Sequence, residues 1–443
     1  MGYLKNCSTF DELWDKPTYD YCIPEGSFCA GYTSGVSCIM SDGEPHFVEC
    51  HVDDAPTIHF YFDKKDNCDV IGRYGINKDT NDSKNNENCI ERVRNHFVES
   101  DKAESKLVYL THGFDSNENP DHWLYHLKDA LISRYPKGKI IVGVVFWTKG
   151  ARWVNFNETI PASDDISRRA DVDEKIEDHM GLICCFAKLM PSVYTRYGIA
   201  AITTWGIGNI LGYIHESILG GKDSDLHVKT YCIGHSLGSH VCGFFGKMMK
   251  RLTASDDYYL EKIIGLDPAG PLFHYEDHEF DLRLNKNDAR IVEVFHTNTL
   301  RLGFKKPIGD IDFYINGGKS QYWCNEPESD FKLLLQAMWD QDGSVFTCAH
   351  EYAWDFLNLL AISMMPCYAR WKTANATSPT PHNAVKFGSR IGGKLLDGSQ
   401  AKVFYPGHLD NSLEHEIPLG KHYLYINPKD SKECKYRQIL FPS

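Results

Sequence analysis

A serine with a glycine two residues away on each side stands between a strand-like and a helix-like segment. Residues 226–233 alternate between apolar and polar side chains, the pentapeptide GHSLG follows at 234–238, and residues 239–251 are compatible with a helix. A nucleophile elbow requires this order of strand, sharp turn and helix, because the backbones beside the turn approach too closely for a Cβ atom. Ser236 is therefore a candidate nucleophile.

A serine hydroxyl becomes a nucleophile only beside a base that a carboxylate orients. In folds with a nucleophile elbow, the acid and then the histidine follow the serine along the chain. Asp267 ends the strand-like run 263–266, and His350 stands two residues after Cys348, before an apolar helical segment. Taken singly, Asp267 is also explained as a strand-end turn former and His350 as an ordinary histidine. Their combination with Ser236 predicts a catalytic triad.

Strand-like and helical segments alternate through the region that must position these residues. Residues 107–110 form a short apolar run, residues 123–135 have helical spacing, and residues 140–147 form a continuous β-branched run. Such a continuous run is typical of a strand that is buried on both faces of a parallel sheet. We therefore predict an α/β fold with a mostly parallel central sheet and helices on both faces.

Several motifs, taken together and in this order, resemble the animal pancreatic-type lipases, a family of triacylglycerol lipases, lipoprotein lipases and secreted phospholipases A1. The motifs are THGF at 111–114, GHSLG at 234–238, GLDPAGP at 265–271, CAH at 348–350 and the segments 284–297 and 311–318. The resemblance covers roughly residues 57–410 apart from an insertion at 151–193. It implies the α/β-hydrolase fold and ester hydrolysis by Ser236, His350 and Asp267.

The resemblance also indicates how the oxyanion of the reaction would be held. Two backbone N–H groups are needed, and the residue after the nucleophile, Leu237, supplies one. By analogy with the family, Phe114 in the loop after an early strand supplies the other.

The segment between Cys324 and Cys348 resembles the family's lid. If these cysteines pair, they join the two ends of a loop, residues 325–347, beside His350. Apolar residues recur within it at the spacing of an amphipathic helix, namely Phe331, Leu334, Leu335, Met338 and Trp339. A short helix of this kind must cover an apolar surface, either the site or a lipid, although an ordinary core helix is the alternative. In the family, a long lid goes with triacylglycerol hydrolysis and a short lid with phospholipid hydrolysis.

A structural calcium ion is a further implication of the resemblance, although no cofactor is expected for the chemistry. Its ligands would map to the carbonyls of Phe280 and Arg283 and to the side chains of Asn285 and Asp288. Asn285 stands where the family usually has a carboxylate. Calcium also accepts amide oxygens, but one charge fewer should weaken its binding.

Charge and composition restrict the partners of the chain. The 443 residues carry a net charge of −13 with a hydrophobic fraction of 42%. This balance excludes global disorder and does not favour binding to nucleic acid or recruitment to an anionic membrane. The partner that the resemblance to the lipases implies is a lipid substrate at an oil–water or membrane interface.

The cysteines indicate an oxidising compartment. Seven of the 15 cysteines lie in the first 90 residues without any CxxC pair, which favours disulfides over a zinc ribbon. Four glycosylation sequons, at Asn6, Asn81, Asn157 and Asn375, also fit a secreted glycoprotein. No apolar leader follows Met1, so we expect a mature form.

We expect two regions, a Cys-rich extension at residues 1–50 and a lipase domain at residues 51–443. The uncharged stretch between Arg196 and Glu216 is diluted by threonine, asparagine and glycine, which favours a buried helix over a transmembrane one. We expect neither the family's C-terminal β-sandwich domain nor the helper protein that docks there.

The predicted function is that of a secreted lipase that hydrolyses acylglycerols. A phospholipase A1 acting on sn-1 esters and a non-catalytic lipid-binding relative are the alternatives that the sequence leaves open.

Overall fold

The computed structural model of the chain describes residues 28–32, 35–39, 45–48, 56–71, 81–99, 105–114, 116, 118–147, 192–220, 226, 228–253, 260–273, 283–321, 324, 344–362, 368–373, 384–386 and 420–425. The strands are β1 (Phe28–Tyr32), β2 (Gly35–Ile39), β3 (Pro45–Val48), β4 (Thr57–Tyr61), β5 (Asn67–Ile71), β6 (Lys106–Thr111), β7 (Ile140–Phe146), β8 (Lys229–His235), β9 (Leu260–Leu266), β10 (Ile291–His296), β11 (Ile311–Ile315), β12 (Tyr368–Thr373), β13 (Ala384–Lys386) and β14 (Gly420–Tyr425). The helices are α1 (Asn81–Glu99), α2 (Trp123–Arg134), α3 (Ser192–Leu219), α4 (Leu237–Thr253) and α5 (Ser344–Ile362).

Eleven of these strands form one sheet, in the order β13-β12-β14-β11-β10-β9-β8-β6-β7-β4-β5. From β14 to β7 each strand runs parallel to its neighbours. The edge strands β4 and β5 on one side and β12 and β13 on the other pair antiparallel. The predicted mostly parallel sheet is therefore confirmed. Strands β1, β2 and β3 form a separate three-stranded antiparallel sheet.

Helices cover both faces of the large sheet, as strand β7 illustrates. Every residue of β7 is buried, and successive side chains enter opposite cores. Ile141 and Val145 pack in the core that includes residues of α1, α3 and α4. Val142 and Val144 pack in the core that includes residues of α2 and α5. Strands β6, β8 and β9 are connected through helices in the manner of βαβ units, and the arrangement is that of the α/β-hydrolase fold.

The uncharged stretch of the sequence lies within α3, which packs against α4. Its apolar side chains Ile207, Leu211 and Ile218 are fully buried, and the polar side chain of His215 is buried beside them. None of the five described helices combines the length and the hydropathy of a membrane span. The prediction of a buried helix is confirmed.

Three disulfides connect described cysteines. Cys68–Cys89 joins β5 to α1, Cys232–Cys242 joins β8 to α4, and Cys324–Cys348 joins residue 324 to α5. The sequence singled out only the last of these pairings. Residues 151–191 of the insertion and residues 325–343 of the expected lid lie outside the described residues. The division into an extension and a lipase domain stays a prediction.

Candidate active site

Ser236 forms the turn between strand β8 and helix α4. Its backbone is left-handed, with φ of 56°, a conformation that few non-glycine residues adopt and that is common at functional sites. The turn is tight enough that a Cβ atom on Gly234 would lie 2.2 Å from the carbonyl oxygen of Gly238. The two glycines of the motif are thus required by backbone packing, and the turn holds Ser236 at the end of the strand.

Asp267 occupies the corresponding position at the end of the neighbouring strand β9. In the parallel register His235 lies opposite Leu266, and the N–H of Ser236 donates to the Leu266 carbonyl at 2.9 Å. Asp267 also has a left-handed backbone, with φ of 43°. Because both residues follow adjacent parallel strands, they lie at the same edge of the sheet.

The carboxylate of Asp267 is fully buried and is held by the backbone. Its Oδ1 accepts the N–H groups of Thr297 at 2.8 Å and Asn298 at 3.1 Å. Its Oδ2 lies 2.6 Å from Nδ1 of His350, which is 83 residues away along the chain. With a proton on Nδ1, the imidazole presents Nε2 as its basic nitrogen. Thr297 and Asn298 carried no signal of this role in the sequence, since only their backbones act.

His235, the residue before the candidate nucleophile, fixes the backbone of His350. Its Nε2 donates to the carbonyl oxygen of His350 at 3.0 Å, and the two rings are 4.6 Å apart. Burial lowers the pKa of His235 well below its usual value, so this imidazole stays neutral. The contact joins helix α5 to the end of β8, which places His350 beside the elbow.

Helix α5 is itself anchored by aromatic packing. Trp354 stacks on Trp123 of α2 with ring centroids 5.8 Å apart, and Phe356 meets Phe295 of β10 at 5.8 Å. These contacts come from the opposite side of the sheet to α4. The base and the nucleophile are therefore held by separate cores that meet at the sheet edge.

The loop after β6 lies directly against Ser236. A Cβ atom on Gly113 would stand 2.7 Å from Cβ and 3.2 Å from Oγ of the serine. Phe114 follows in this loop, and its ring packs edge-on against Tyr197 of α3 at 5.5 Å. Leu237 is the first residue of α4, where backbone N–H groups lack helical acceptors and negative charge is favoured. The two backbone groups predicted to bind an oxyanion thus belong to segments that flank Ser236.

His112 controls the peptide that leads into Phe114. Its Nε2 accepts the N–H of Trp147 at 3.1 Å, so its Nδ1 carries the proton and donates to the Gly113 carbonyl at 2.8 Å. The ring also stacks on Trp147, with centroids 5.2 Å apart and planes 6° apart. In a trans peptide the carbonyl and the following N–H point in opposite directions, so holding the Gly113 carbonyl orients the amide of Phe114. The THGF motif indicated this loop but not the role of its histidine.

The expected lid is joined to the site by the Cys324–Cys348 disulfide, in which the Cα atoms are 5.7 Å apart. Cys348 lies on α5 two residues before His350, so both ends of the segment meet next to the candidate base. The apolar positions predicted to form the lid helix, Phe331, Leu334, Leu335, Met338 and Trp339, lie outside the described residues.

The residues implied for calcium contact a lysine instead. Nζ of Lys247 lies 2.6 and 2.7 Å from the two carboxylate oxygens of Asp288 and 2.8 Å from the carbonyl oxygen of Arg283. The side-chain oxygen of Asn285 accepts the N–H of Asn287 at 2.8 Å. As arranged, these groups do not fit a divalent cation, and no chemical step is assigned to one.

Phe280, the remaining implied ligand, lies outside the described residues. Within the described part of the chain, no group of three or more His, Cys, Asp or Glu side chains is placed to hold a metal ion.

Comparisons with known proteins relate the chain to lipases. The family named Lipase matches residues 188–359, a range that contains Ser236, Asp267 and His350. The chain is 28% identical to lipase member H of Oryctolagus cuniculus over 61% of this chain and 45% of that protein. It is 28% identical to a phospholipase A1 of Vespa tropica over 50% of this chain and 59% of that protein.

A third relative is the lipoprotein lipase of Gallus gallus, 27% identical over 56% of this chain and 40% of that protein. The chain spans about half the length of the lipase member H proteins that it matches. The matched segment, the motifs and the fold agree, and together they support a relationship to the pancreatic-type lipase family.

Proposed function

We propose that this chain hydrolyses the carboxylic esters of acylglycerols through an acyl-enzyme formed on Ser236. His350 is the general base and acid, and Asp267 orients its imidazole. The observation that carries the proposal is the 2.6 Å contact between the fully buried Asp267 carboxylate and Nδ1 of His350, beside a serine at a strained strand–helix turn.

The proposed reaction has two halves. Nε2 of His350 takes the proton of the Ser236 hydroxyl as Oγ bonds to the ester carbonyl carbon, and the imidazolium then protonates the departing alcohol. Water repeats the sequence on the acyl-enzyme, which releases the fatty acid and regenerates the serine. Each half passes through an oxyanion, for which the N–H groups of Leu237 and Phe114 are the proposed donors.

Oxyanion donors of this kind contribute much of the rate of acyl transfer. Loss of a single donor typically lowers kcat by about 10²–10³-fold. The position of Gly113 against the serine, and the start of α4 at Leu237, support the assignment of these two backbone groups.

Access of substrate is proposed to depend on a lid at residues 325–347, closed at its base by the Cys324–Cys348 disulfide. Ser236 and His350 are each only 6% exposed, so a long-chain ester needs an opening to reach them. The lipid substrate would be met at an oil–water or membrane interface. The disulfides and the sequons support secretion into an oxidising extracellular compartment.

A phospholipase A1 activity on sn-1 esters is the second candidate. The observation that favours it is the similarity to the Vespa tropica protein named phospholipase A1, which covers half of this chain. The length of the lid segment favours acylglycerols. The chemistry at Ser236 is the same for both substrates.

A substrate panel tests the proposal. The purified chain is assayed on emulsified triacylglycerol and on phosphatidylcholine vesicles, with Ser236→Ala as the matched control. We expect fatty-acid release from the emulsion by the wild type alone, whereas release only from vesicles, at the sn-1 position, would support the phospholipase. Lipid binding by a folded wild type without hydrolysis of either substrate would identify a non-catalytic relative and contradict the proposal.

A further inference from the structure

The turn that the family resemblance assigns to calcium is built around a buried lysine. We propose that the ammonium group of Lys247 takes the place of calcium in this chain, so that the fold needs no calcium ion. The proposal concerns the stability of the fold and stands independently of the proposed function.

Three oxygen atoms lie within hydrogen-bond distance of the ammonium group of Lys247. An ammonium group has three N–H donors, and the oxygens are both carboxylate oxygens of Asp288 and the carbonyl oxygen of Arg283, at 2.6, 2.7 and 2.8 Å. Two of the four groups implied as calcium ligands are therefore engaged by a cation of the chain itself.

The side chain of Asn285, a third implied calcium ligand, makes a hydrogen bond within its own loop. Oδ1 of Asn285 accepts the N–H of Asn287, while the N–H of Asn285 donates to Oδ2 of Asp288 at 2.9 Å. These bonds close a compact turn at residues 285–288, in which the side chains of Asn285 and Asp288 are buried. One of the two acceptor sites of the Asn285 amide oxygen is therefore occupied by a backbone group of the turn.

Charge also favours the lysine. Lys247 and Asp288 are both buried, with exposed side-chain fractions of 9% and 2%. One ammonium and one carboxylate form a neutral pair, whereas a calcium ion next to the ammonium would add two positive charges against the carboxylate of Asp288, the one carboxylate that contacts Lys247 among the described residues. Burying an unbalanced charge of this kind is strongly unfavourable.

The backbone of α4 is shaped for this contact. Gly246 and Gly243 let the helix lie on the turn, since a Cβ atom on Gly246 would stand 2.0 Å from the Asp288 carbonyl oxygen. Lys247 follows directly and reaches the acceptors from the same helix that begins after Ser236. The ammonium group of Lys247 therefore links the turn at residues 285–288 to helix α4, which begins directly after Ser236.

Calcium titration of the full wild-type chain is the primary test. Thermal unfolding is recorded in EDTA and in millimolar calcium chloride, and calcium binding is measured by isothermal titration calorimetry. We expect the same Tm in both buffers and no saturable binding heat. A saturable calcium isotherm accompanied by a rise in Tm would overturn the proposal.

A variant pair tests the role of the lysine without reference to activity. Lys247→Met keeps the length of the side chain and removes the ammonium group. Lys250→Met is the matched control on the same helix, because Lys250 is only partly buried and its ammonium group donates to the Asn287 carbonyl in an exposed hydrogen bond. We expect Lys247→Met to lower Tm by several degrees more than Lys250→Met does. Equal shifts would contradict the proposal. If Lys247→Met does not fold, the calcium titration of the wild-type chain still decides whether the fold binds calcium.

Discussion

Ser236, Asp267 and His350 come from three distant parts of the sequence, yet each is held by backbone contacts that leave it little freedom. The candidate nucleophile and the candidate acid both have left-handed backbones, with φ of 56° and 43°, at the ends of adjacent strands. Non-glycine residues persist in this region only where the surrounding structure imposes it. At the scale of the residue, the site is therefore preorganised by the sheet edge rather than by flexible side chains.

His112 provides a test of that preorganisation, since its ring holds the Gly113 carbonyl and accepts the N–H of Trp147. If it orients the Phe114 amide through the Gly113 carbonyl, His112→Ala should lower kcat about 10-fold or more, with a smaller change in KM, because the donor acts mainly in the transition state. Steady-state kinetics on a soluble short-chain ester measure both parameters.

Two comparisons accompany the His112 measurement. His112→Asn, whose amide N–H₂ can replace Nδ1 as a donor, should recover part of kcat, whereas a purely structural role predicts equal losses of Tm and no such recovery. An unchanged kcat in a folded His112→Ala would contradict the role assigned to this residue.

At the scale of the element, helix α5 carries two functions within two residues, because Cys348 anchors the lid segment and His350 is the candidate base. The aromatic stack of Trp123 on Trp354 holds the helix independently of the disulfide. Loss of the disulfide should therefore change lid control more than it changes the position of the imidazole.

This separation predicts the behaviour of Cys324→Ser. We expect the ratio of activity on micellar substrate to activity on monomeric substrate to fall by at least about twofold, because the two ends of the lid segment are no longer joined and closure of a free loop has a larger entropy cost. The variant pair Cys324→Ser and Cys324→Ser/Cys348→Ser excludes effects of a free thiol. A ratio that stays at the wild-type value in both variants would contradict the lid hypothesis.

At the scale of the whole molecule, buried neutral histidines make the stability of the fold depend on pH. His215 of α3 lies between the hydroxyl groups of Tyr109 and Thr230, each at 3.2 Å, and burial lowers its pKa from 6.5 to about 3. Burial likewise lowers the pKa of His122, the N-cap of α2, to about 4. Both imidazoles must be neutral in the folded chain.

The direction in which stability changes with pH follows from the different proton binding of the unfolded and the folded chain. The unfolded chain binds these protons near pH 6.5 and the folded chain does not, so the stabilisation is complete above that pH and declines as the pH falls towards 4 and then 3. Each histidine contributes a slope of up to about 1.4 kcal/mol per pH unit to the free energy of unfolding.

Urea denaturation between pH 6.5 and pH 5 checks this slope above the range where most carboxylates titrate. The amide of His215→Gln can still contact both hydroxyl groups but does not titrate. In this variant the slope of the free energy of unfolding against pH should be shallower, by the equivalent of about one bound proton. The same slope in the variant and the wild type would contradict the assignment to His215.

The sequence predicted most of what depends on local pattern. The β-branched run at 140–147 became β7, buried on both faces, and the uncharged stretch became α3. The motifs brought Ser236 and Asp267 to one sheet edge because each stands directly after a strand, which is a local property.

What the sequence did not predict depends on contacts between distant residues. Lys247 meets Asp288 across 41 residues, and His112 accepts from Trp147 across 35. No periodicity records such contacts, because they follow from how helices and loops pack after the sheet has formed. The lysine in the expected calcium turn is the clearest case: it is an ordinary helix residue in the sequence.

The most direct test of the whole account is covalent labelling of the native chain by a fluorophosphonate, followed by mass spectrometry of the labelled peptide, with a mild detergent present to open the lid. We predict stoichiometric modification of Ser236, lost in Ser236→Ala and slowed by at least about 10³-fold in His350→Ala, because the hydroxyl is unreactive without its base. A folded wild-type chain in which Ser236 remains unmodified, or reacts equally fast without the imidazole of His350, would contradict the account.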